Sequence, residues 1–225
     1  IGSAVRQFTC RVGAAHRLHS PAVRKLKEAI ANLRWGPLPE RRARGLVHLF
    51  DVLARTGFHH KYWMVMGLLL GCMRSGGPIP WDRDADFGFH ERDLPAFMDA
   101  LGELLRKGYS PCRLQVNNDG KITKWAVRRQ GLKFEFFMFE QRGDCLRWYY
   151  HHSREPRLEI VNEIPVHGLD EFELYGRRWL KPDNADACLT ALYGDWRTPD
   201  PDYVYWRDCA ATVDRQPWSG ERRRI

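Results

Sequence analysis

Two aspartates separated by one residue are the first candidates for chemistry. Asp84 and Asp86 lie in the segment DADFGF, which predicts a β-strand over residues 84–89. Alternate side chains of a strand share a face, so the two carboxylates point the same way, about 7 Å apart along the backbone. Mg²⁺ is commonly held by one or two carboxylates together with substrate phosphates and water. The pair therefore predicts Mg²⁺ or Mn²⁺ as a cofactor and chemistry on a phosphate group.

A third acidic candidate, Glu135, lies in the segment KFEFFMF, residues 133–139. Strand alternation puts Phe134, Phe136 and Met138 on one face and Lys133, Glu135 and Phe137 on the other. A carboxylate among core phenylalanines is costly unless it is paired or bound to metal. Glu135 is therefore a third metal ligand, a general base, or the partner of an Arg or Lys, and we favour the first two.

The segment between the first apolar run and the aspartates predicts a phosphate-binding loop. The run YWMVMGLLL, residues 62–70, is typical of a strand buried on both faces, and Gly71 would end it in a turn. Turn amides beside Gly attract anions, and Arg74 would hold a phosphate in bidentate fashion. Asp82 shares the parity of the aspartate pair, and we expect it to support the site or cap the loop. The candidate substrate- and phosphate-binding residues are Gly71, Arg74, Gly76, Gly77, Trp81 and Lys133.

Periodicity and turn residues predict the elements that position these side chains. Helices are expected over 21–34, 41–56 and 93–107, with a short one after Asp183; a hairpin is expected over 125–139, turning at Gln130 and Gly131. The inward residues would be Val23, Leu26, Ile30 and Leu33 in the first helix, and Leu94, Phe97, Met98, Leu101, Leu104 and Leu105 in the third. Strands alternating with helices predict an α/β or α+β domain with a mixed sheet.

Histidines and cysteines are weaker candidates for metal binding. The pairs His59-His60 and His151-His152 would face opposite ways in a strand, which disfavours them as ligands. The six cysteines include no C-x-x-C pair and no His at zinc-ligand spacing, which makes a structural zinc improbable. In a chain with an ample core we expect reduced thiols rather than disulfides.

The net charge of +8 is confined to the first quarter of the chain. Residues 1–57 hold 11 Lys or Arg against 3 Asp or Glu, whereas residues 58–225 hold 25 against 25. Such a basic arm would contact an anionic membrane surface, a nucleic acid or an acidic glycan, or would simply be a solvated helical face. Because the remainder is neutral, no nucleic-acid binding is expected of the domain. No run of about 18 apolar residues predicts a membrane span.

One ordered set of residues resembles the LicD/fukutin family of phosphotransferases. The set comprises Gly67-Leu-Leu-Leu-Gly71, Arg74, Gly76-Gly77, Ile79-Pro80-Trp81 and Asp82-x-Asp84-x-Asp86, and downstream the Glu135 strand, Lys181-Pro182 and Leu192-Tyr193-Gly194-Asp195-Trp196. It departs from the family pattern at Cys72, where a small residue such as Ala or Thr is usual, and at Glu135, where many relatives have Asp. The resemblance implies a nucleotidyltransferase-like catalytic domain, expected over 41–212. The break GPLPE at 36–40 would separate it from a basic helical arm over 1–40, and the Pro- and Trp-containing end of the chain predicts an irregular basic tail over 213–225.

The resemblance further implies transfer of phosphocholine, ribitol phosphate or glycerol phosphate from a CDP-linked donor to a sugar hydroxyl of a glycan. Asp84 and Asp86 would then hold the cation, Glu135 would orient or deprotonate the acceptor, and Trp81 or Tyr193 would stack on the nucleobase or pack the site. Bacterial relatives act in the cytoplasm and animal ones in the Golgi lumen, so the compartment stays open. The alternatives are a nucleotidyltransferase that uses an NTP and a catalytically inactive glycan-binding module.

Overall fold

A computed structural model describes residues 21–166 and 168–223 of the chain. Its helices are α1 (Pro21–Trp35), α2 (Leu38–Leu53), α3 (Met66–Ser75), α4 (Leu94–Arg106), α5 (Ala185–Tyr193) and α6 (Tyr205–Asp208), with a 3-10 turn at Glu91–Asp93 before α4. Its strands are β1 (Tyr62–Met64), β2 (Asp84–His90), β3 (Ser110–Val116), β4 (Ile122–Arg129), β5 (Leu132–Arg142), β6 (Cys145–His152), β7 (Leu158–Pro165), β8 (Leu169–Leu174), β9 (Arg177–Pro182), β10 (Thr212–Pro217) and β11 (Arg222–Arg223).

The long strand β5 joins the two halves of a mixed nine-stranded sheet. Its first part pairs with β4 on one side and, in parallel, with β2 on the other, while its last residues pair with β6. The strand order β10-β7-β6-β5-β4-β3-β11 carries β2 and β1 as a branch, and β8 with β9 forms a separate hairpin. The predicted α+β class with a mixed sheet is confirmed.

The hairpin of β4 and β5 is also confirmed at its predicted turn. Gln130 and Gly131 have φ values of 50° and 75°, the left-handed backbone that a two-residue hairpin turn requires. This turn sets the register that pairs Ala126 with Glu135 and Arg128 with Lys133. Hairpin geometry therefore carries polar residues of both strands to one face of the sheet.

The predicted strand over 62–70 is wrong beyond its first three residues. The run divides into β1 and α3, with the extended residue Val65 between them. The segment MGLLLGCMRS that forms α3 contains no β-branched residue, and Leu and Met are good helix formers. Residues 62–70 form one continuous apolar run because both β1 and most of α3 are buried.

The core residues of α4 are partly as predicted. Phe97, Leu101 and Leu104 are buried, whereas Met98 is 48% exposed and Leu105 is 39% exposed. The inward stripe is narrower than six residues because only one side of α4 packs on the sheet.

The N-terminal helix departs from its prediction in orientation. Helix α1 forms, but Leu26, Ile30 and Leu33 are exposed, and the side chain of Val23 lies outside the described residues, as do residues 1–20 of the arm. Helix α2 begins at Leu38, so only Gly36 and Pro37 interrupt the helical chain.

The tail predicted to be irregular over 213–225 largely forms strands. Strand β10 pairs with β7, and β11 pairs with β3. Between them Trp218 is buried and its indole N–H donates to the carbonyl of Val116 at 2.9 Å. The tail thus completes both ends of the sheet.

No helix of the described residues is long and apolar enough to cross a membrane. The five cysteines that the structure describes are all free, as expected, and Cys10 lies outside the described residues.

Candidate active site

The two aspartates lie on one face of β2, as predicted. In the parallel pairing of β2 with β5, Asp84 is opposite Lys133 and Asp86 is opposite Glu135. The intervening Ala85 is buried in the core, which leaves the carboxylates on the other face. Parallel register thus brings three acidic side chains from two distant segments to one place.

Asp86 is a partly buried acid that forms no ion pair with a lysine or arginine among the described residues. Its side chain lines a cavity of about 200 Å³ that is otherwise walled mainly by aromatic groups. Burial raises the pKa of Asp86 well above its ordinary value, and repulsion from Glu135, Asp84 and Asp82 raises it further. A cation placed here would relieve that repulsion.

Asp84 differs from Asp86 because a lysine neutralises it. Lys133 Nζ lies 2.5 Å from Asp84 Oδ2 and 3.0 Å from Glu135 Oε1. Burial lowers the pKa of Lys133, but the two carboxylates raise it above its ordinary value. Lys133 therefore stays protonated and bridges β2 to β5.

Glu135 is the partner of two lysines, the third of the roles considered for it. Lys124 Nζ lies 3.2 Å from Glu135 Oε1, and both side chains are almost fully buried. Burial raises the pKa of Glu135, but Lys124 and Lys133 outweigh this effect and hold the value at about 2. A carboxylate this acidic is poorly suited to take a proton at neutral pH, which disfavours its prediction as a general base.

Lys124 was missed by the sequence reasoning, although the hairpin offered a signal. With the turn at Gln130 and Gly131, Ala126 is opposite Glu135, and Lys124 lies two residues further along the same face. Burial lowers the pKa of Lys124 below its ordinary value, and the nearby charge of Glu135 opposes this shift only in part. A lysine at that position in a buried strand requires an acidic neighbour.

Asp82 takes a larger part in the site than expected. Its Oδ1 accepts a hydrogen bond from the backbone N–H of Asp84 at 3.1 Å, the capping role considered for it. Its Oδ2 faces Gly67: a Cβ on Gly67 would lie 3.0 Å from it and 3.8 Å from Oδ2 of Asp86. Asp82 and Asp86 thus converge on the first turn of α3.

The first turn of α3 supplies the amides that were predicted in the following loop. The leading N–H groups of a helix lack partners within it and attract anions. Met66 and Gly67 line the cavity that contains Asp86. The free amides therefore lie at the start of α3, beside the carboxylates, and not at Gly71 as predicted.

Two of the glycines predicted to bind phosphate, Gly71 and Gly76, have a structural role in α3. Gly71 lies inside α3, where a Cβ would be 2.6 Å from the backbone nitrogen of Ile79 and 2.7 Å from the carbonyl oxygen of Gly77. Gly76 ends the helix with φ 71°, and its N–H donates to the carbonyl of Cys72 at 2.9 Å. The C-terminal end of a helix carries partial negative charge, which disfavours phosphate.

Arg74 and Trp81 line a different cavity, of about 430 Å³. The Arg74 guanidinium donates to the carbonyl of Trp196, with Nε at 2.8 Å. Trp81 is 79% exposed, so it is not packed in the core. Tyr193 lines both this cavity and the one containing Asp86 and separates the two.

Two cavities flank the carboxylates. The smaller contains Asp86 and the aromatic side chains Phe137, Trp148, Tyr150, Tyr193 and Tyr205. The larger, of about 490 Å³, contains Asp84 and basic residues that include Lys133, Arg113 and Arg154. Lys124, Glu135 and Tyr150 line both. The site therefore has an aromatic side and a basic side.

The comparison with known families agrees with this site. Residues 59–182, more than half of the chain, match the family model described as LicD/FKTN/FKRP, nucleotidyltransferase domain. The chain belongs to the LicD/fukutin family. Membership places this LicD-family protein in a family of the phosphotransferase type. No curated protein matches the chain.

The family match is shorter than the expected catalytic domain, 41–212, and ends before the L-Y-G-x-W segment. In this LicD-family protein that segment packs near α3, because Arg74 donates to the carbonyl of Trp196. Tyr193, from the same segment, lines the Asp86 cavity. Cys72, the departure noted in α3, is buried in the core, where a small apolar side chain fits.

Two carboxylates, Asp84 and Asp86, remain the candidates for a metal in this LicD-family site. Across residues 21–166 and 168–223, no three His, Cys, Asp or Glu side chains form a ready-made metal-binding group. The predicted third ligand, Glu135, instead faces two ammonium groups. Asp84 and Asp86 still suit Mg²⁺, which needs only one or two protein carboxylates when phosphate and water complete its shell.

Proposed function

We propose that this protein transfers a phospho-alcohol from a CDP-linked donor to a sugar hydroxyl of a glycan or glycoconjugate. The alcohol is of the choline, ribitol or glycerol type, and the cofactor is Mg²⁺ or Mn²⁺. The observation that carries the proposal is Asp86: a partly buried acid that forms no ion pair in the described residues and faces Asp82 and the first turn of α3 at the edge of a cavity. Such an acid suits a cation bound together with a phosphate.

Asp84 and Asp86 would hold the cation, with Asp82 beside them. When bound, the cation neutralises charge on the diphosphate as the bond to the leaving group breaks. The fit rests on geometry: the Oδ2 atoms of Asp82 and Asp86 converge on Gly67 at the start of α3. Burial and the neighbouring carboxylates also raise the pKa of Asp86, an effect that a positive charge would reverse.

Lys133 and Lys124 would provide the fixed positive charge of the site. Glu135 holds both ammonium groups within 3.2 Å of one oxygen, so they are positioned before substrate arrives. Preorganised charge of this kind stabilises a phosphoryl transition state more than mobile charge does. Glu135 is thus a positioning residue in this proposal.

The proposed reaction exchanges one phosphorus–oxygen bond for another. The acceptor hydroxyl oxygen attacks the phosphorus that carries the alcohol, the bond to the bridging oxygen breaks, and CMP leaves with the electron pair. The hydroxyl proton is released. The amides at the start of α3 and the ammonium of Lys133 would contact the phosphate oxygens through this exchange.

The two cavities suit the two kinds of group in such a donor. Arg113, Arg154 and Lys133 give the larger cavity the positive charge that a diphosphate requires. The aromatic walls of the smaller cavity suit a ring or an alkyl group.

The decisive experiment compares donors directly. The purified chain is incubated with Mg²⁺, a glycan acceptor and CDP-choline, CDP-ribitol or CDP-glycerol, and CMP release is measured. Asp86→Asn should abolish release, with a loss of at least about 1,000-fold, while Asp99→Asn, a change at an exposed helix position, should not. Circular dichroism confirms that both variants are folded.

Two outcomes would contradict the proposal. Pyrophosphate release from an NTP, with no CMP from any CDP-linked donor, would indicate a nucleotidyltransferase. Equal turnover by the parent and by Asp86→Asn, or glycan binding with no turnover of any donor, would remove the case for this active site.

A further inference from the structure

Helix α1 packs against the domain by the face that carries Glu28, Ala31 and Trp35. The carboxylate of Glu28 forms ion pairs with Arg41 at 3.0 Å and with Arg83 at 2.8 Å. Ala31 is buried on this side, and the ring of Trp35 lies against Gly131, where a Cβ would be 3.1 Å away. These contacts fix which face of the helix points outward.

The outward face is apolar, the reverse of the usual arrangement. Leu26, Ile30 and Leu33 follow one another at i, i+4 and i+7 and are 60%, 54% and 90% exposed. A surface helix normally turns such a stripe toward the core. A contiguous exposed apolar stripe on a soluble domain marks an interaction surface.

The charges beside the stripe are all basic. Lys25, Lys27 and Arg34 are exposed, and Arg34 also lies over the ring of Trp35, 5.0 Å from its centre. The single acid of the helix, Glu28, is turned inward. The exposed side of α1 therefore combines an apolar ridge with positive charge alone.

This charge pattern selects among the partners that would cover the stripe. A second copy would bring Lys and Arg against Lys and Arg, which is repulsive when no acid is present to alternate with them. A protein groove would need to receive a convex ridge whose most exposed residue is Leu33. An anionic lipid surface suits both the apolar stripe and the basic charge beside it. Its interior accepts the apolar side chains, and its headgroups attract the basic flanks.

We infer that the outer face of α1 binds an anionic lipid surface, with Leu26, Ile30 and Leu33 inserted between the headgroups. Arg41 and Arg42, at the start of α2, tie this helix to the active-site side of the domain. Arg41 binds Glu28, whereas Arg42 donates to the carbonyls of Ile79 at 2.6 Å and Asp82 at 2.8 Å. The lipid-bound helix is thus anchored beside the loop that leads into Asp84.

Vesicle binding of the full chain tests this inference. The probe is a vesicle of equal parts phosphatidylserine and phosphatidylcholine, and the readout is the protein fraction that sediments with it. The triple variant Leu26→Gln, Ile30→Gln, Leu33→Gln should lose about tenfold or more in binding. The control Met98→Gln, Leu105→Gln removes exposed apolar surface from α4 and should bind as the parent does.

Two further measurements separate lipid from other partners. Lys25→Gln with Lys27→Gln should weaken binding, and vesicles of phosphatidylcholine alone should bind less of the parent chain. Equal vesicle binding by the triple variant and the parent would overturn the inference. So would a dimer in sedimentation equilibrium that the triple variant abolishes while no vesicle binding occurs. CMP release with a water-soluble acceptor does not depend on the stripe and reports on the active site separately.

Discussion

Asp86 and Glu135 are direct partners in the parallel pairing of β2 with β5, yet only Glu135 forms ion pairs with lysines. Glu135 faces the ammonium groups of Lys124 and Lys133, and these hold its pKa at about 2 against the effect of burial. Asp86 forms no ion pair within the described part of the chain, and burial raises its pKa. One carboxylate is thus paired within the protein, whereas the other has no ion-pair partner there.

Gly67 is expected to be essential for activity and dispensable for stability. Gly67→Ala places a methyl group 3.0 Å from Asp82 Oδ2 and 3.8 Å from Asp86 Oδ2, within the space that the cation and phosphate would occupy. We expect CMP release to fall about 100-fold, as for a misplaced reacting group, with no loss in Tm. Gly102→Ala in α4 is the matched control, because its Cβ would meet nothing within 4 Å. Unchanged activity of Gly67→Ala would place the cation elsewhere.

Lys124 and Glu135 are expected to be strongly coupled. Replacing either residue alone by Met leaves the other charge buried without this partner and should cost about 3–5 kcal/mol in the free energy of unfolding. The double variant Lys124→Met, Glu135→Met should lose markedly less than the sum of the two single losses. Urea unfolding of the four proteins measures the coupling, and simple additivity would show that the ion pair contributes nothing.

The pH dependence of stability should report on Glu135. Its pKa is about 2 in the folded state against an ordinary value of 4.5, so its ionised form stabilises the fold above about pH 4.5. That contribution is lost as the pH falls from 4.5 toward 2. The difference in unfolding free energy between the parent and Glu135→Gln, a few kcal/mol at neutral pH, should therefore shrink over this range. A difference that stays constant would contradict the lysine pairing.

Arg74 is expected to act on stability rather than on substrate. Its guanidinium donates to the carbonyl of Trp196 and holds the L-Y-G-x-W segment against α3. Arg74→Met should lower stability by about 1–3 kcal/mol, as for the loss of a charged hydrogen bond, and leave the KM for the CDP-linked donor near that of the parent. Lys133→Met should raise that KM. A large rise in KM for Arg74→Met alone would restore the predicted role of Arg74 in phosphate binding.

The acidic face of the site could be read from the sequence because it depends on local geometry. Strand alternation puts Asp84 and Asp86 on one side whatever surrounds them, and the Gln130-Gly131 turn specifies the hairpin that carries Glu135. Family resemblance added the class of chemistry. None of these inferences required knowledge of a contact between distant segments.

The tertiary structure decided how those residues are used. Whether YWMVMGLLL becomes one strand or a strand and a helix depends on what buries it. This choice places the free amides at the start of α3, near Gly67, rather than in a turn at Gly71. Similarly, the partner of Glu135 and the outward face of α1 depend on lysines and arginines brought close by folding. Alternation along a strand is a property of the backbone itself, but burial and charge pairing are properties of the assembled fold.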